Sequence, residues 1–576
     1  MRRLVAIIAA VAICVASAGC GSSDGAETAR HLDPRSDAVV AIDLDYASAN
    51  WKQVKRLYAR AVREGGLDAG EFTPPTLNGA LEALTSSTGL SFADDILPLL
   101  GGTLQLGVRT EPAPPLSASA RDVLERFDSN ATRVTGGRSR YFDYDGKPMD
   151  PQEVESALRE QDMRQPSTTV TAAYRVADAD ALERALGKLR DQGLESTPIA
   201  GIDGARRLGK GVGVLGDDTL VAVLADDEDQ ADALLRERLK ATGDGPAMPE
   251  LGESLVAAHL APTVLGAWLD REELQRALAS TAGRALRSTE VRLKLDQEAA
   301  RATALMDFEG LADDELPLPG PGPLALPSGE GVSSASADQS RTTVFLARLA
   351  RELYPDSRFV RRVERLEARE GLKFEDAVLR QFSGPSFSVL RPGRDGSVAF
   401  GARSTLRDPA AMRALLDRIA PDLPGILEGL QGLGATGLTS LLLVAPDAPL
   451  TPAAFALLAG VDVRKLAAAG SEQLYEVTGL ENGSGPNRVV YGLIGDAFVV
   501  ASSAELAREV AAMRTEPAPE AATRVRVDFA ALLERAGGWL GEDTARAVRA
   551  LVAGADVNAS AKDGDVVGEA EVRWAR

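Results

Sequence analysis

The stretch Gly89-Leu90-Ser91-Phe92-Ala93-Asp94-Asp95-Ile96-Leu97 returns later in the chain as Gly371-Leu372-Lys373-Phe374-Glu375-Asp376-Ala377-Val378-Leu379. A glycine follows each copy at the same distance, Gly102 and Gly384, and a strand-like run comes next. The shared Gly-Leu-x-Phe setting predicts an aromatic anchor that fixes a short helix on a sheet. A self-match at so long a period indicates two copies of one domain, because solenoid repeats are much shorter.

Further matches follow in the same order along the chain. They pair Pro34 with Pro327, Val39 with Val332, residues 214–217 with 493–496, Asp270 with Asp528, and a candidate hairpin over about 291–308 with one over about 557–574. The aspartates Asp270 and Asp528 follow the apolar runs 265–269 and 525–527, which we interpret as strands. Matches that keep one order predict an internal duplication.

The duplication predicts the domain organisation. We expect a signal peptide over 1–19, a flexible tether over 20–33, a first repeat over 34–315, a proline-rich linker over 316–326 and a second repeat over 327–576. The linker contains Leu316-Pro317-Leu318-Pro319-Gly320-Pro321-Gly322-Pro323, which excludes a helix or a central strand there.

An insertion in each half breaks the symmetry. The first, about 109–165, contains two helical stretches and a probable hairpin at Asp145-Gly146. The second, about 421–478, is unusually apolar, and Gly429 to Pro446 carries no charge. Its glycines and flanking prolines make a poor membrane helix, so we expect it in the core of the second half. The alternative is contact with an apolar ligand or a membrane.

One local pattern recurs within each half: a strand, an aspartate and then an amphipathic helix. The aspartates are Asp45, Asp178, Asp270, Asp408 and Asp528, each placed where a helix N-cap belongs. Glu273 completes a capping box with Asp270, and Pro409 suits the first helical position. Hairpin signals at Gly216-Asp217 and Asp563-Gly564 favour antiparallel pairing. We therefore predict an α+β fold, antiparallel sheets with helices on one face, internally duplicated.

One run resembles the signature of a known family. Phe92-Ala93-Asp94-Asp95-Ile96-Leu97-Pro98-Leu99-Leu100-Gly101-Gly102 is similar to that of a bacterial family of exported or lipid-anchored proteins, defined only as a domain of unknown function. The opening strand Val39-Val40-Ala41-Ile42-Asp43 after Pro34 fits the same family. The second copy departs from the signature at Arg380 and Ser383. The resemblance implies the architecture and no activity, cofactor or catalytic residue.

The N-terminus has the pattern of an export signal. Arg2 and Arg3 form a basic region, and the apolar run from Leu4 to Val15 is too short to span a membrane comfortably. Ser17-Ala18-Gly19-Cys20 resembles a bacterial lipobox, although Ser17 stands where that pattern usually has leucine. We therefore predict lipidation at Cys20 and a protein held on the extracytoplasmic face of the cell membrane. Ordinary cleavage after Ala18 remains the alternative and would leave a soluble protein with a free thiol.

Composition excludes several partners and chemistries. The formal charge is −20, and loss of Arg2 and Arg3 with the first 19 residues makes it −22, so we expect no nucleic-acid partner. The chain has only two cysteines, Cys14 and Cys20, and Cys14 leaves with the signal peptide. The mature domains therefore lack disulfides, cysteine nucleophiles and thiolate metal sites.

Two glycine-rich motifs fit nucleotide-binding spacings only in part. Residues 204–210 fit a P-loop, but Gly211 stands where Ser or Thr is needed. Residues 211–216 fit a dinucleotide fingerprint, yet Asp217-Asp218 and another strand come next. We interpret both as strands joined by a hairpin and predict no cofactor.

The remaining candidates for chemistry have ordinary explanations. His31 lies in the predicted tether and His259 in a predicted strand, and neither has a nucleophile partner. The cluster Asp226-Asp227-Glu228-Asp229 begins a helix, where acidic residues are favoured. Asp143-Tyr144-Asp145-Gly146 resembles part of a calcium loop, but Tyr141 and Gln152 occupy ligand positions, so a turn is favoured and no metal is predicted.

These observations favour a membrane-tethered, non-enzymatic binding or scaffold protein whose ligand or protein partner is unknown. A carrier or sensor of an apolar or acyl ligand, with residues 421–478 as wall or lid, is one alternative. A hydrolase that uses carboxylates is the other, because paired acids are sufficient for such chemistry.

Overall fold

The computed structural model describes residues 25–64, 76–86, 88–135, 138–143, 147–193, 196–327, 331–355, 357–392, 398–420, 422, 462–467, 472–478, 488–536 and 542–575. The strands of this part of the chain are β1 Ala38–Asp43, β2 Thr103–Glu111, β3 Phe127–Thr135, β4 Arg138–Asp143, β5 Ser167–Arg175, β6 Thr197–Pro198, β7 Ala205–Gly209, β8 Val212–Leu215, β9 Thr219–Leu224, β10 Val256–Leu260, β11 Leu286–Leu295, β12 Ala299–Phe308, β13 Gly322–Pro327, β14 Val332–Ser336, β15 Ser386–Pro392, β16 Val398–Thr405, β17 Asp462–Lys465, β18 Gln473–Thr478, β19 Arg488–Ile494, β20 Ala497–Ala501, β21 Thr515–Ala521, β22 Thr523–Asp528, β23 Val552–Lys562 and β24 Asp565–Trp574.

The α-helices of the described residues connect these strands. They are α1 Gly25–Ala29, α2 Ala49–Glu64, α3 Leu77–Ser86, α4 Ala118–Arg126, α5 Pro151–Met163, α6 Ala179–Asp191, α7 Glu228–Leu239, α8 Arg271–Ala279, α9 Thr281–Ala285, α10 Gln339–Leu353, α11 Arg358–Glu370, α12 Phe374–Ala377, α13 Pro409–Ile419, α14 Ala504–Ala512, α15 Phe529–Ala536 and α16 Glu542–Leu551. Short π or 3₁₀ turns cover Phe92–Ile96, Leu97–Leu99, Pro262–Ala267 and Leu379–Phe382.

Among the described residues, twenty strands form one antiparallel sheet, which confirms the α+β class. Following the pairings from one edge to the other gives the order β6-β7-β8-β9-β5-β2-β1-β10-β11-β12-β24-β23-β22-β14-β15-β16-β20-β19-β18-β17. The strands β12 and β24 form the central pair of this order. Outwards from that pair, the two halves are mirror images in connectivity, because each strand of the first half has a counterpart in the second half.

The central pair β12 and β24 has a symmetric register. Each strand begins directly after a hairpin turn, and the fifth residue of β12, Thr303, lies opposite the fifth residue of β24, Glu569. A local two-fold axis between Thr303 and Glu569 would therefore relate the two halves. This is the arrangement that a duplication predicts, and common ancestry of the halves stays a prediction.

Helices of each half also contact helices of the other half. In the first half α2 contacts α16 of the second, and in the second half α10 contacts α8 of the first. Leu269 and Leu274 of the first half accordingly lie in one core cluster with Leu349 and Leu353 of the second. The two repeats thus share a sheet and part of their hydrophobic core.

Local sequence signals account for many element boundaries. Asp178, Asp270 and Asp408 accept hydrogen bonds from the first turns of α6, α8 and α13, and Asp270 forms the capping box with Glu273. Asp528 accepts a bond from the nitrogen of Ala531 in α15. The prediction for Asp45 was wrong: Asp45 forms a turn, and the hydroxyl of Ser48 accepts from the nitrogen of Trp51 in α2.

The strand expected over 265–269 was also wrong. Residues Pro262–Ala267 form a 3₁₀ turn, and the strand that corresponds to β22 is β10, nine residues closer to the N-terminus. Pro262 lacks an amide hydrogen for a sheet ladder, which explains why the strand ends before it. At the start of the first repeat, the residue equivalent to Val332 is Ala38 and not the predicted Val39. Ala38 and Val332 are each the first residue of their strand.

Two connecting segments contribute buried residues. The tether was expected over 20–33, but Gly25–Ala29 is helical, and His31 and Leu32 are buried against the sheet. The proline-rich linker over 316–326 packs against the rest of the protein, since Leu316, Leu318, Leu324 and Leu326 are all buried. Its C-terminal part is β13, which pairs with β21 as a separate two-stranded ribbon. Alternating leucines supply the apolar surface that holds this segment down.

The two insertions differ in what the structure describes. In the first, α4 and α5 pack on the hairpin β3–β4 around a small core with Phe127 and Tyr141. A single bridge joins Phe142 to Pro148 around the turn predicted at Asp145-Gly146, whose central residues 144–146 lie outside the described part. In the second, β17 and β18 continue the main sheet, so the predicted insertion over 421–478 ends before residue 462. Its uncharged segment 429–446 lies outside the described residues.

Candidate functional site

Within the described residues, a cleft in the first half has a volume of about 2010 Å³. Its floor is one face of β1 and β2, where Ala41, Asp43 and Gln105 line it. Ala41 pairs directly with Gln105, and Asp43 lies two residues further along β1, so all three side chains project from the same face. The floor therefore offers the Asp43 carboxyl group to a ligand, whereas Gln105 is only 2% exposed and lies beneath the surface of the cleft.

The same face of the second half has different chemistry. Ala335 is the fourth residue of β14, as Ala41 is of β1, and it pairs with Phe387 where Ala41 pairs with Gln105. Ala337 stands at the place of Asp43 and packs against the same apolar cluster. Leu324 and Leu326 of the ribbon β13–β21 lie on this surface and are almost fully buried. In the second half the ribbon thus covers the place where the first half has its cleft.

One wall of the cleft is residues 25–36, which we call the N-terminal segment. Thr28 and Ala29 line the cleft and are buried. His31 Nδ1 lies 2.9 Å from the carbonyl oxygen of Arg238 in α7, and the Arg238 guanidinium donates to the carbonyl oxygen of Leu32 at 3.1 Å. The nitrogen of Asp33 donates to Thr171 Oγ1 on β5 at 3.1 Å. These bonds fix the segment between the sheet and α7.

A second wall is residues 241–253, which we call the strap. Its Gly245 passes so close to the N-terminal segment that a Cβ there would lie 2.1 Å from the carbonyl oxygen of Ala29. At the other end, Asn50 Nδ2 donates to the carbonyl oxygen of Glu253 at 3.1 Å, and Asn50 Oδ1 accepts from the nitrogen of Leu295 at 2.8 Å. The strap contains Pro246-Ala247-Met248-Pro249-Glu250, which resembles Pro517-Ala518-Pro519-Glu520 in β21. The strap therefore stands in the position of β21 without pairing as a strand.

Charges of both signs surround the cleft. The carboxylates of the lining are Asp43, Asp45, Asp218, Asp244, Glu250, Glu253 and Asp296, and its cations are Lys52, Arg56, Arg175 and Lys294. Arg175 is bonded to Asp218 at 2.6 Å, and Lys294 pairs with Glu253. The lining consequently keeps a net negative charge.

Asp43 is half-buried on the floor of the cleft. Burial raises its pKa, and the nearby charge of Asp45 adds to the rise. Hydrogen bonds to its carboxylate, including 2.7 Å from the nitrogen of Asp45, oppose the rise without cancelling it. The folded protein therefore holds the proton of Asp43 more tightly than an exposed aspartate would.

The predicted chemical motifs lie elsewhere and have structural roles. Residues 205–209 are a strand, and Lys210 pairs with Glu228 at 2.6 Å. Asp227 caps α7, as expected for the acidic cluster. His259 lies in β10, as predicted, whereas His31 belongs to the wall of the cleft. In the part of the chain that the structure describes, no group of acidic, histidine or cysteine side chains could hold a metal ion.

Cys20 is the one site residue that the sequence predicted, and it lies outside the described residues. The cleft residues Asp43, Gln105 and Asn50 were not predicted from the sequence. A signal for Gln105 was present: the match of Gly102 with Gly384 places Phe387 at its position in the other copy, whereas the match of Val39 with Val332 places the polar Ser336 opposite Asp43. A position that is polar in only one of two equivalent sheets points to a local role in that copy.

Comparison with known proteins adds little to this description. No protein family and no curated protein matches the sequence. Among solved structures, crystal form IV of TP0453 matches at a TM-score of 0.24 and 9% identity over 49% of this chain and 81% of that chain. Crystal form III of TP0453 matches at a TM-score of 0.22 and 8% identity over 50% and 81% of the two chains. Similarity at this level establishes neither a common fold nor a common function.

Proposed function

We propose that the protein is a lipid-anchored, extracytoplasmic binding protein whose ligand site is the cleft of the first half. The observation that carries the proposal is the contrast between the halves. A ribbon with buried leucines covers the sheet face of the second half, whereas the same face of the first half is an open cleft of about 2010 Å³. Its floor carries Asp43 and Gln105 in place of alanine and phenylalanine.

The exported location is supported by the sequence alone. The basic start, the apolar run and the lipobox-like segment ending at Cys20 favour a lipidated N-terminus. Within the described residues no helix is both long and apolar enough to cross a membrane. A diacylated cysteine would suffice as an anchor, because two acyl chains bind a bilayer far more tightly than one.

Thermal unfolding in the presence of a panel of small polar metabolites tests the binding site. A ligand at 100 times its Kd stabilises the folded state by about 2.7 kcal/mol, so a true ligand raises Tm. The double variant Asp43→Ala/Gln105→Phe gives the first half the floor of the second and should abolish the rise. Asp307→Ala/Gln152→Phe makes the same chemical changes at exposed positions and should keep it. A ligand that stabilises both variants equally binds elsewhere.

A second candidate function is hydrolysis with a carboxylate as general acid. The position of Asp43 on the cleft floor favours it, together with the direction of its pKa shift, since burial raises that pKa and a general acid must carry a proton to donate. Asp43→Asn tests the hydrolase: turnover by the wild type should be lost in the variant, whereas a pure binding protein shows no turnover in either form. The other alternative, a carrier or sensor of an apolar or acyl ligand, depends on residues 421–478, of which the structure describes only 422, 462–467 and 472–478.

A further inference from the structure

The N-terminal segment serves two purposes at once. It is the wall of the cleft through Thr28 and Ala29, and it is the continuation of the predicted anchor at Cys20. Its bonds to Arg238 and Thr171 hold it on the sheet, so it cannot act as a free spacer. The anchor therefore joins the molecule at the cleft.

The length of the free chain limits how far the cleft can stand from the bilayer. Five residues, 20–24, precede α1, and five residues extend at most about 18 Å. The ribbon of the second half is much further away, since β1 and β14 are seven strands apart in the sheet. At about 4.8 Å per strand, seven spacings are about 34 Å. The tether therefore keeps the first half within reach of the bilayer and leaves the second half free to project away from it.

The charged groups of the cleft suit a ligand with both charges. Lys52 and Arg56 are four residues apart on α2 and so lie on one face of the helix, where they can meet a phosphate. Asp244 and Glu250 on the strap and Asp43 on the floor can meet an ammonium group. Because carboxylates outnumber cations in the lining, a purely anionic molecule is disfavoured.

Resting on the proposed anchor and binding site, we infer that the cleft of the anchored protein lies at the bilayer surface and binds a zwitterionic head group that carries an ammonium and a phosphate. The head group enters the cleft, and the acyl chains of the same lipid stay in the membrane. The second half, with its cleft position filled by the ribbon, projects away from the membrane.

Single-cysteine labelling of the lipidated protein on vesicles tests the orientation. Lipidation blocks Cys20, so a cysteine at Glu250→Cys on the strap carries the only reactive thiol. Glu520→Cys on β21 is the matched control. Glu520 ends the motif Pro-Ala-Pro-Glu as Glu250 ends Pro-Ala-Met-Pro-Glu, and both residues are exposed. On phosphatidylethanolamine vesicles with a head-group acceptor, we expect energy transfer at least about twofold higher from position 250 than from 520, because transfer falls with the strand-spacing difference. Equal or reversed transfer would overturn the inference.

Short-chain phosphatidylethanolamine tests the ligand in the same preparation. It should raise the Tm of the wild type and of Asp307→Ala/Gln152→Phe, and not that of Asp43→Ala/Gln105→Phe. Soluble phosphoethanolamine should give a smaller rise, and phosphatidylglycerol none. If a different polar metabolite stabilises the protein through the cleft and phosphatidylethanolamine does not, the inference fails while the proposed binding site stands. If the protein does not float with vesicles at all, the anchor and the inference both fail.

Discussion

At the scale of single residues, Asp43 makes the free energy of unfolding depend on pH. Its folded-state pKa is raised, so the folded protein holds the proton more tightly than the unfolded chain does. Its contribution to stability is therefore most favourable below the unfolded value of 3.8 and declines as pH rises through the folded pKa. Asp43→Asn should be more stable than the wild type at pH 7, and the difference should shrink towards pH 3.8 in urea titrations. If Asp43→Asn is less stable than the wild type at pH 7, the hydrogen bonds to the charged Asp43 carboxylate outweigh the effect of its burial.

His31 has the opposite dependence. Burial lowers its pKa, and the charges of Arg30 and Arg238 lower it further, so the folded state favours the neutral ring. Stability is then retained above the unfolded value of 6.5 and falls as the pH drops through 6.5 towards the folded pKa. In the variant His31→Leu, the fall in Tm between pH 7.5 and 5.5 should be smaller than in the wild type. His259→Gln is the control and should show the same fall in Tm as the wild type. If the fall is lost in His259→Gln and kept in His31→Leu, His31 is not its cause.

At the scale of elements, the short helices that begin with Phe92 and Phe374 are held by their aromatic side chains. Both rings are buried, with 1% and 3% of their surface exposed. Phe374→Ala should lower the free energy of unfolding by about 3–5 kcal/mol, since it leaves a cavity in the core, and Phe92→Ala should cost a similar amount. Leu84→Ala is the control, because Leu84 is 54% exposed and its loss should cost less than about 0.5 kcal/mol. A small effect at Phe374 in urea titrations would contradict the anchor role.

Elements with local determinants could be predicted from the sequence, and those set by distant contacts could not. The caps at Asp178, Asp270 and Asp408 depend on atoms within three residues, so their spacing identifies them. The cleft depends on contact between residues 25–36 and 241–253, more than two hundred positions apart, and no local pattern encodes it. The same reason explains the error in the tether, whose burial is provided by α7 and the sheet.

At the scale of the whole molecule, the two repeats should unfold together. They share the β12–β24 pairing, and α8 of the first repeat packs into the core of the second. Differential scanning calorimetry should show one transition with equal calorimetric and van't Hoff enthalpies. Leu274→Ala, at the crossing of α8, should lower the Tm of that single transition. Two resolved transitions, only one of them moved by Leu274→Ala, would indicate independent repeats.

The central strand pair also determines how many ligands one particle can take. Arg301 of β12 contacts Glu571 of β24 at 3.0 Å, whereas the residues at the matching places in the other strand are Val567 and Leu305. This charge pair forms only between a first and a second half, so it favours one copy of each in every folded particle. Two identical halves would display two clefts and allow one occupied cleft to influence the other. With unlike halves joined in one chain, saturation should come at one ligand per polypeptide, and the titration should follow a simple hyperbola with a Hill coefficient of about 1.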